Sequence, residues 1–162
     1  MVVILVTGTP GVGKTQVAKV IAKKYHLTYI NLTRFIKKHK LYERYDKKWH
    51  TFLVNPKKIT PTIRKIIQKN KNCVIDSHLS HYVNKKYADL CIVVTCDISL
   101  LKKRLENRKY SPLKIRENLD AEIFEVCLTE AKERKHKIKV IDTNRGLRET
   151  SLKNLIKTKK IE

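Results

Sequence analysis

Residues 2–15 read Val2-Val3-Ile4-Leu5-Val6-Thr7-Gly8-Thr9-Pro10-Gly11-Val12-Gly13-Lys14-Thr15. A run of aliphatic residues from Val2 to Val6 stops at Gly8. Beyond Lys14, Val17, Ala18, Ile21 and Ala22 recur at helical spacing. The order is strand, glycine loop, helix, which is the context that the Gly-x-x-x-x-Gly-Lys-Thr phosphate-binding pattern requires. Three of the four glycines in the chain, Gly8, Gly11 and Gly13, lie here. Backbone N–H groups wrapped around an anion must all point inward, and glycine permits the dihedrals and the close approach. The helix N-terminus adds the positive end of its dipole. Lys14 then reaches the β- and γ-phosphates, and the Thr15 hydroxyl can ligate Mg2+. An ordinary glycine-rich turn is the alternative, and the flanking strand and helix favour the phosphate loop.

Working outward, the remaining chain repeats the strand–helix alternation. Leu27 to Asn31 is a short strand, and Thr33 to Lys40 has helical character. Leu41 to Ile59 is polar, aromatic and irregular, and a loop that long in a compact domain is usually functional. Thr60-Pro61 reads as N-cap and first helical residue, with the helix ending near Asn70. Cys73-Val74-Ile75-Asp76 is a third strand, followed by a loop over 77–87. Leu90 to Thr95 is a continuous apolar run, as for a strand buried on both faces. Asp97 caps a further helix. Ser111-Pro112 caps a long helix reaching about Lys135, Ile138 to Asp142 is the fifth strand, and Asn144-Arg145-Gly146 is a turn. A basic amphipathic helix closes the chain. This predicts one α/β domain over 1–162 with a doubly wound parallel sheet.

Composition narrows the class. A chain of 162 residues with 41% hydrophobic content suits a single-core globular domain. No apolar run approaches membrane-spanning length. The five-residue apolar N-terminus lacks a basic leader, so it reads as a strand and a cytoplasmic location is expected. Cys73, Cys91, Cys96 and Cys127 form no Cys-x-x-Cys pair, and reduced buried thiols are expected. The formal net charge is +22. Residues 1–75 carry seventeen Lys and Arg against two acids, Glu43 and Asp46, whereas six of the fifteen acids cluster between Glu117 and Glu133. Two readings stand side by side: a surface for RNA, or a lysine-biased surface of the kind common in thermophiles.

Further residues carry chemistry. Asp76 ends an apolar strand about sixty residues after the loop, where an acid should hold the Mg2+ shell through water; a turn or capping role is the alternative. His78, two residues on, could orient water or the transferred phosphoryl group, or be a structural histidine. Arg104 and Arg108 share a helix face, and mobile arginines above the phosphates neutralise developing charge. Arg145 follows the last strand at the carboxyl edge of the sheet, where open α/β sheets bind ligands. The guanine-reading Asn-Lys-x-Asp motif is absent; Asn84-Lys85-Lys86-Tyr87 lacks the aspartate, which argues against a regulatory GTPase.

A family resemblance rests on a combination of segments. These are Gly8 to Thr15, Tyr29-Ile30-Asn31, Leu41-Tyr42 with Tyr45-Asp46, Asp76-Ser77-His78, Arg104-Leu105-x-x-Arg108-x-Tyr110, and Asn118-x-x-x-Glu122-Ile123-Phe124. Together, over nearly the whole chain, they resemble the small adenylate kinases of archaea and eukaryotic nuclei, of the coilin-interacting nuclear ATPase type. The resemblance implies a P-loop fold of adenylate kinase type with a five-stranded parallel sheet. It implies a monophosphate-binding arm at about 31–54 and a short lid at about 108–118. It implies a monomer that makes two ADP from ATP and AMP with Mg2+, with ATPase activity. It also implies a role in small-subunit ribosome maturation, with a ribosomal protein and nearby rRNA as partners. Gly11, Gly13, Lys14, Thr15, Gln16, Arg108 and Arg145 match its ATP contacts. Thr15 and Asp76 match its metal site, and Lys14, Asp76, His78 and Arg108 its catalytic set. The chain departs from the family pattern at Thr33, Arg34, Lys37, Lys47, Lys48 and Val54 to Lys58, all in the arm or partner surface. Two alternatives remain open: a small kinase for another acceptor, and a basic assembly factor that uses ATP only as a switch.

Overall fold

In the computed structural model, which describes residues 1–49 and 51–155, seven strands and six α-helices form two sheets and their covering layers. The main sheet is parallel, in the order β2 (Thr28–Asn31), β5 (Cys73–Asp76), β1 (Val3–Thr7), β6 (Leu90–Thr95), β7 (Ile138–Asp142). A separate antiparallel hairpin pairs β3 (Arg44–Asp46) with β4 (Thr51–Leu53). Both faces of the main sheet are covered. On one, Ile4, Val6, Val74, Ile92 and Val94 pack on α1 (Lys14–Lys24) and α4 (Ile98–Asn107). On the other, Val3, Leu5, Ile75, Cys91 and Val93 pack on α2 (Leu32–Lys38), α3 (Pro56–Asn70) and α6 (Val126–Glu133). Central strands buried on both faces need continuous apolar runs, which is why β1 and β6 carry no alternation. Among the described residues no helix is long and apolar enough to cross a membrane.

The topology places the functional end. β5 and β6 flank β1 on opposite sides, so the strand order reverses around β1, and ligands bind beyond the carboxyl ends at such a point. Gly8 leaves β1 there with φ of 140°, and a Cβ on it would lie 2.3 Å from the Val94 carbonyl oxygen. Only glycine fits that approach.

Five expectations are corrected. Leu41 to Ile59 is not irregular throughout: it holds the β3–β4 hairpin and the start of α3. The Asn55 side chain caps that helix, accepting from Lys57 N at 3.0 Å, with Pro56 at the first turn. Pro61 lies inside the helix, and the Thr60 hydroxyl donates to the Pro56 carbonyl at 2.8 Å rather than capping anything. The long helix from Ser111 divides into α5 (Pro112–Ile123) and α6 at Glu125, whose φ is 49°. The break lets Glu122 reach the glycine loop while Leu128 turns into the core below β6. The closing segment forms a 3-10 turn over Glu149–Leu152, and the remainder of the expected terminal helix, residues 156–162, lies outside the described residues. Asp97 stands at the start of α4 but makes no capping bond; its carboxylate accepts from Asn144 at 2.9 Å.

All four cysteines are free thiols. Burial pushes Cys73 and Cys96 up to about 11 and Cys91 to about 12, so none of these three is a thiolate at neutral pH.

Candidate active site

The glycine loop ends at Gly13, the left-handed N-cap of α1 (φ 103°), so the first amides of α1 face the cleft with no side-chain cap of their own. Lys14 is the first residue of that helix. Its ammonium donates to the Thr9 carbonyl at 2.9 Å, folded back across the loop. Burial lowers it to about 8; the Asp76 carboxylate opposes that shift and the Arg108 guanidinium adds to it. A half-buried cation bonded to one neutral carbonyl is prepared for an anion.

Thr15 donates its hydroxyl to Asp76 Oδ2 at 2.8 Å, and Tyr29 donates to the same oxygen at 2.8 Å. Asn31 links on through its amide to the Tyr29 hydroxyl at 3.2 Å. The hydroxyl and carboxylate that the sequence pairs for Mg2+ therefore touch. Among the described residues no cluster of three or more His, Cys, Asp or Glu could hold a metal. Two hard oxygen donors without a full protein cage suit Mg2+, which keeps several waters and takes its other ligands from phosphates.

His78 sits where two cavities meet. The first, about 160 Å³, is lined by Gly11, Gly13, Lys14, Thr15, Asp76 and Arg108, with Pro10, Asn31, Thr33, Ser77 and His78 at its edge. The second, about 350 Å³, is lined by Ile36, Lys37, Phe52, Val54, Leu79, Tyr110, Lys114 and Asn118, and again by Pro10, Thr33 and His78. Burial pushes the His78 imidazole down to about 4, and the Lys14 ammonium adds to this. At neutral pH the ring is therefore uncharged and can both donate and accept a hydrogen bond.

The remaining expected residues divide. Arg108, at the end of α4, lines the smaller cavity. Gln16 is exposed on α1, and Arg145 is exposed in the turn after β7; neither lines either cavity. Arg104 lines neither cavity. It donates from behind the loop to the Val12 carbonyl at 3.1 Å, the Gly11 carbonyl at 3.4 Å and Thr143 Oγ1 at 3.1 Å. One helical turn separates the two arginines: Arg104 bonds the loop carbonyls, whereas Arg108 lines the smaller cavity. Of the stretch 108–118 expected as a lid, only 108–111 is non-helical; α5 begins at Pro112. The expected arm, 31–54, corresponds to α2 and the β3–β4 hairpin.

Sequence reasoning missed three supports. Tyr29 bonds Asp76, which its place in the Tyr-Ile-Asn motif does not announce. Glu122 accepts from Thr9 Oγ1 and, at 3.2 Å, from Cys96 N, which clamps the outer side of the loop. Thr143 donates to the Val12 carbonyl at 2.7 Å. None has a spacing signal, since each meets the loop from more than a hundred residues away or from another strand.

The chain matches the AAA domain family over residues 4–125. A Methanocaldococcus jannaschii protein provisionally named an adenylate kinase is 39% identical over 144 residues, covering 89% of this chain and 78% of the relative. A Dictyostelium discoideum adenylate kinase isoenzyme 6 homolog is 36% identical, covering 80% of this chain and 73% of the relative. The chain belongs to this adenylate kinase family. A Schizosaccharomyces pombe isoenzyme 6 homolog, 38% identical over 130 residues, belongs with them. Among solved structures, shikimate kinase from Acinetobacter baumannii in complex with shikimate superposes with a TM-score of 0.65. It covers 100% of this chain and 96% of its own at 16% identity, a likeness of fold alone. The P-loop kinase fold and the family expected from the sequence both hold.

Proposed function

We propose that the protein is a Mg2+-dependent adenylate kinase, transferring the γ-phosphoryl group of ATP to AMP, with ATPase activity when no acceptor is seated. The observation that carries this reading is the junction of two cavities at Pro10, Thr33 and His78. One is an anion cradle; the other is a larger slot with apolar walls, two lysines and one acid, Glu117. A phosphoryl donor and a nucleotide acceptor placed in them meet at that junction, and positioning is most of what phosphoryl transfer asks of a protein.

The residues divide the work. The loop amides and Lys14 bind the donor's β- and γ-phosphates. Thr15 and Asp76 would hold Mg2+, which when bound neutralises charge on the phosphate oxygens. Neutral His78 orients the acceptor oxygen or the transferred group by hydrogen bonding. Arg108 balances the charge that spreads over the phosphoryl oxygens. Lys37 and Lys114 offer charge to the acceptor's own phosphate, while Ile36, Phe52, Val54 and Leu79 supply walls for its base.

A phosphoryl-transfer assay with ATP and each nucleoside monophosphate tests this. AMP should give the highest kcat/KM; a higher value with another acceptor would reassign the slot. The family resemblance further supports a role in small-subunit ribosome maturation, with a ribosomal protein and rRNA as partners; a cytoplasmic location is proposed from the absence of a basic leader before the apolar first strand. One observation favours a second reading, an ATP-switched assembly factor: the seventeen cations against two acids over residues 1–75. High ATPase turnover without AMP, together with salt-sensitive RNA binding, would favour it.

A further inference from the structure

His81 lies outside both cavities, and no sequence motif marks it. Its side chain is 1% exposed, and both ring nitrogens are engaged. Nε2 lies 2.6 Å from Glu130 Oε2 on α6, and Nδ1 lies 2.7 Å from Thr7 Oγ1. The other Glu130 oxygen accepts from the Tyr82 hydroxyl at 3.1 Å, and the Arg134 guanidinium stacks 3.9 Å above the Tyr82 ring. The His81 carbonyl accepts from His136 Nε2 at 2.9 Å. Thr7 is wholly buried, with its hydroxyl 3.4 Å from the His78 carbonyl oxygen.

Bond directions follow from chemistry. A carboxylate only accepts, so Nε2 carries the proton facing Glu130. In the neutral ring Nδ1 is then an acceptor, and the Thr7 hydroxyl donates to it. The result is an ordered path from Glu130 through His81 to Thr7. Its far end joins the end of β1 to the turn on which both His81 and His78 lie. Thr7 is the last residue of β1 before Gly8, and the His78 carbonyl belongs to the turn that carries the catalytic imidazole. Ser80 ties the same turn to β1, donating to the Val6 carbonyl at 2.8 Å.

We propose that His81 is a positioning residue for phosphoryl transfer: through Nδ1 and Thr7 it fixes the start of the glycine loop and the His78 turn relative to each other. The inference rests on the kinase reading above. The two ring nitrogens do different work. Nε2 anchors the ring to α6, away from the cleft; Nδ1 passes that position to the cleft.

The two bonds can be kept one at a time. An asparagine amide falls near the place of Nδ1, and a glutamine amide reaches the place of Nε2. The experiment measures kcat, KM for ATP and the thermal midpoint for the full chain and for His81→Asn, His81→Gln and Thr7→Val. Both His81 variants should lose thermal stability to a similar extent. His81→Asn should keep kcat within about threefold of the parent, whereas His81→Gln and Thr7→Val should lose about tenfold or more, with KM for ATP little changed. A purely packing role predicts that kcat follows stability in both His81 variants alike, and that outcome overturns the proposal. So does a parental kcat in Thr7→Val, a variant of nearly the same shape that keeps the comparison available should His81→Gln not fold. If the parent transfers phosphate to no monophosphate, the kinase reading fails by itself, and the same kcat ratios in ATP hydrolysis decide the role of His81.

Discussion

On the phosphate side of the cleft, polar side chains are bonded in fixed directions to the sheet and to one another. Thr15 and Tyr29 converge on one oxygen of Asp76, and Arg104 and Thr143 hold the loop carbonyls from behind. On the acceptor side, rings and ammonium groups stack instead. Phe52 packs against Tyr42 at 4.4 Å and Tyr45 at 5.0 Å, and the Lys37 ammonium sits 4.9 Å over its ring. The ion pair at the edge of the arm, Lys58 with Glu43 at 2.9 Å, is exposed and contributes little in water. Directional bonds preorganise a charge site, and stacked rings tolerate rearrangement. The donor side is therefore built to be rigid, and the acceptor side to adjust around what it receives.

The comparison can be broken most severely at Lys14. Lys14→Ala should lower phosphoryl transfer by at least about 10²–10³-fold, because a charge placed for the transition state is lost from a half-buried site. The fold should survive, since the side chain bonds only to the Thr9 carbonyl. Circular dichroism beside the transfer assay checks both halves. Near-parental turnover would remove Lys14 from the phosphates and with it the rigid side of the argument.

His78→Ala should come next, lowering kcat by about 10²-fold and raising KM for ATP much less. An unchanged kcat with lost thermal stability would make His78 part of the scaffold. The same side chain has a signature in stability. Its imidazole is lowered from about 6.5 to about 4 by burial, so the unfolded chain takes up that proton first as pH falls. In the nucleotide-free protein, stability should decline between about pH 6.5 and about pH 4 and level off below, by at most about 3 kcal/mol from this residue. Denaturant titrations across that window should be flatter for His78→Asn; equal curves would show that burial does not hold the imidazole neutral.

Phe52→Ala sharpens the contrast from the other side. It should raise KM for the acceptor about tenfold while KM for ATP stays within about twofold, as loss of a stacking wall worth ~1 kcal/mol or more requires. Equal effects on both substrates would mean the arm and the loop are one mechanical unit.

The smallest effect on transfer, near zero, is expected from replacing Lys47, Lys48, Lys57 and Lys58 with Gln. All four are exposed, on the hairpin turn or at the start of α3. If they contact RNA phosphates, the slope of log affinity against log salt should become shallower by roughly 3–4 units. An unchanged slope would assign the basic first half to surface bias.

Legibility followed the same division. Lys14, Thr15, Asp76 and His78 could be read in the chain because the loop motif and the ends of apolar strands are local patterns. β5 and β6 fall where continuous apolar runs place them, and β7 where Ile138 to Asp142 is expected, though Lys139 interrupts it. The hairpin could not be read: its strands are three residues each, amid charges, with no alternation to mark them. Pro61 misled because a proline after threonine is a helix-start signal, yet Asn55-Pro56 offers the same signal five residues earlier. The break at Glu125 contains no glycine or proline, so nothing in the sequence announces it.

What the sequence alone determined is the order strand–loop–helix, the glycine cradle, and the Thr15 hydroxyl and Asp76 carboxylate that meet beside it. These follow from backbone dihedrals and from hydrogen-bonding groups within a few residues, or at the end of a strand whose burial its composition dictates. Only the tertiary structure decided that Arg104 braces the loop from behind while Arg108 faces the cleft. It also decided that Tyr29 shares Asp76 with Thr15, and that His81 joins Glu130 to Thr7. Those contacts join residues tens to more than a hundred positions apart. Their geometry is set by how helices pack on a twisted sheet, which no short stretch of chain contains.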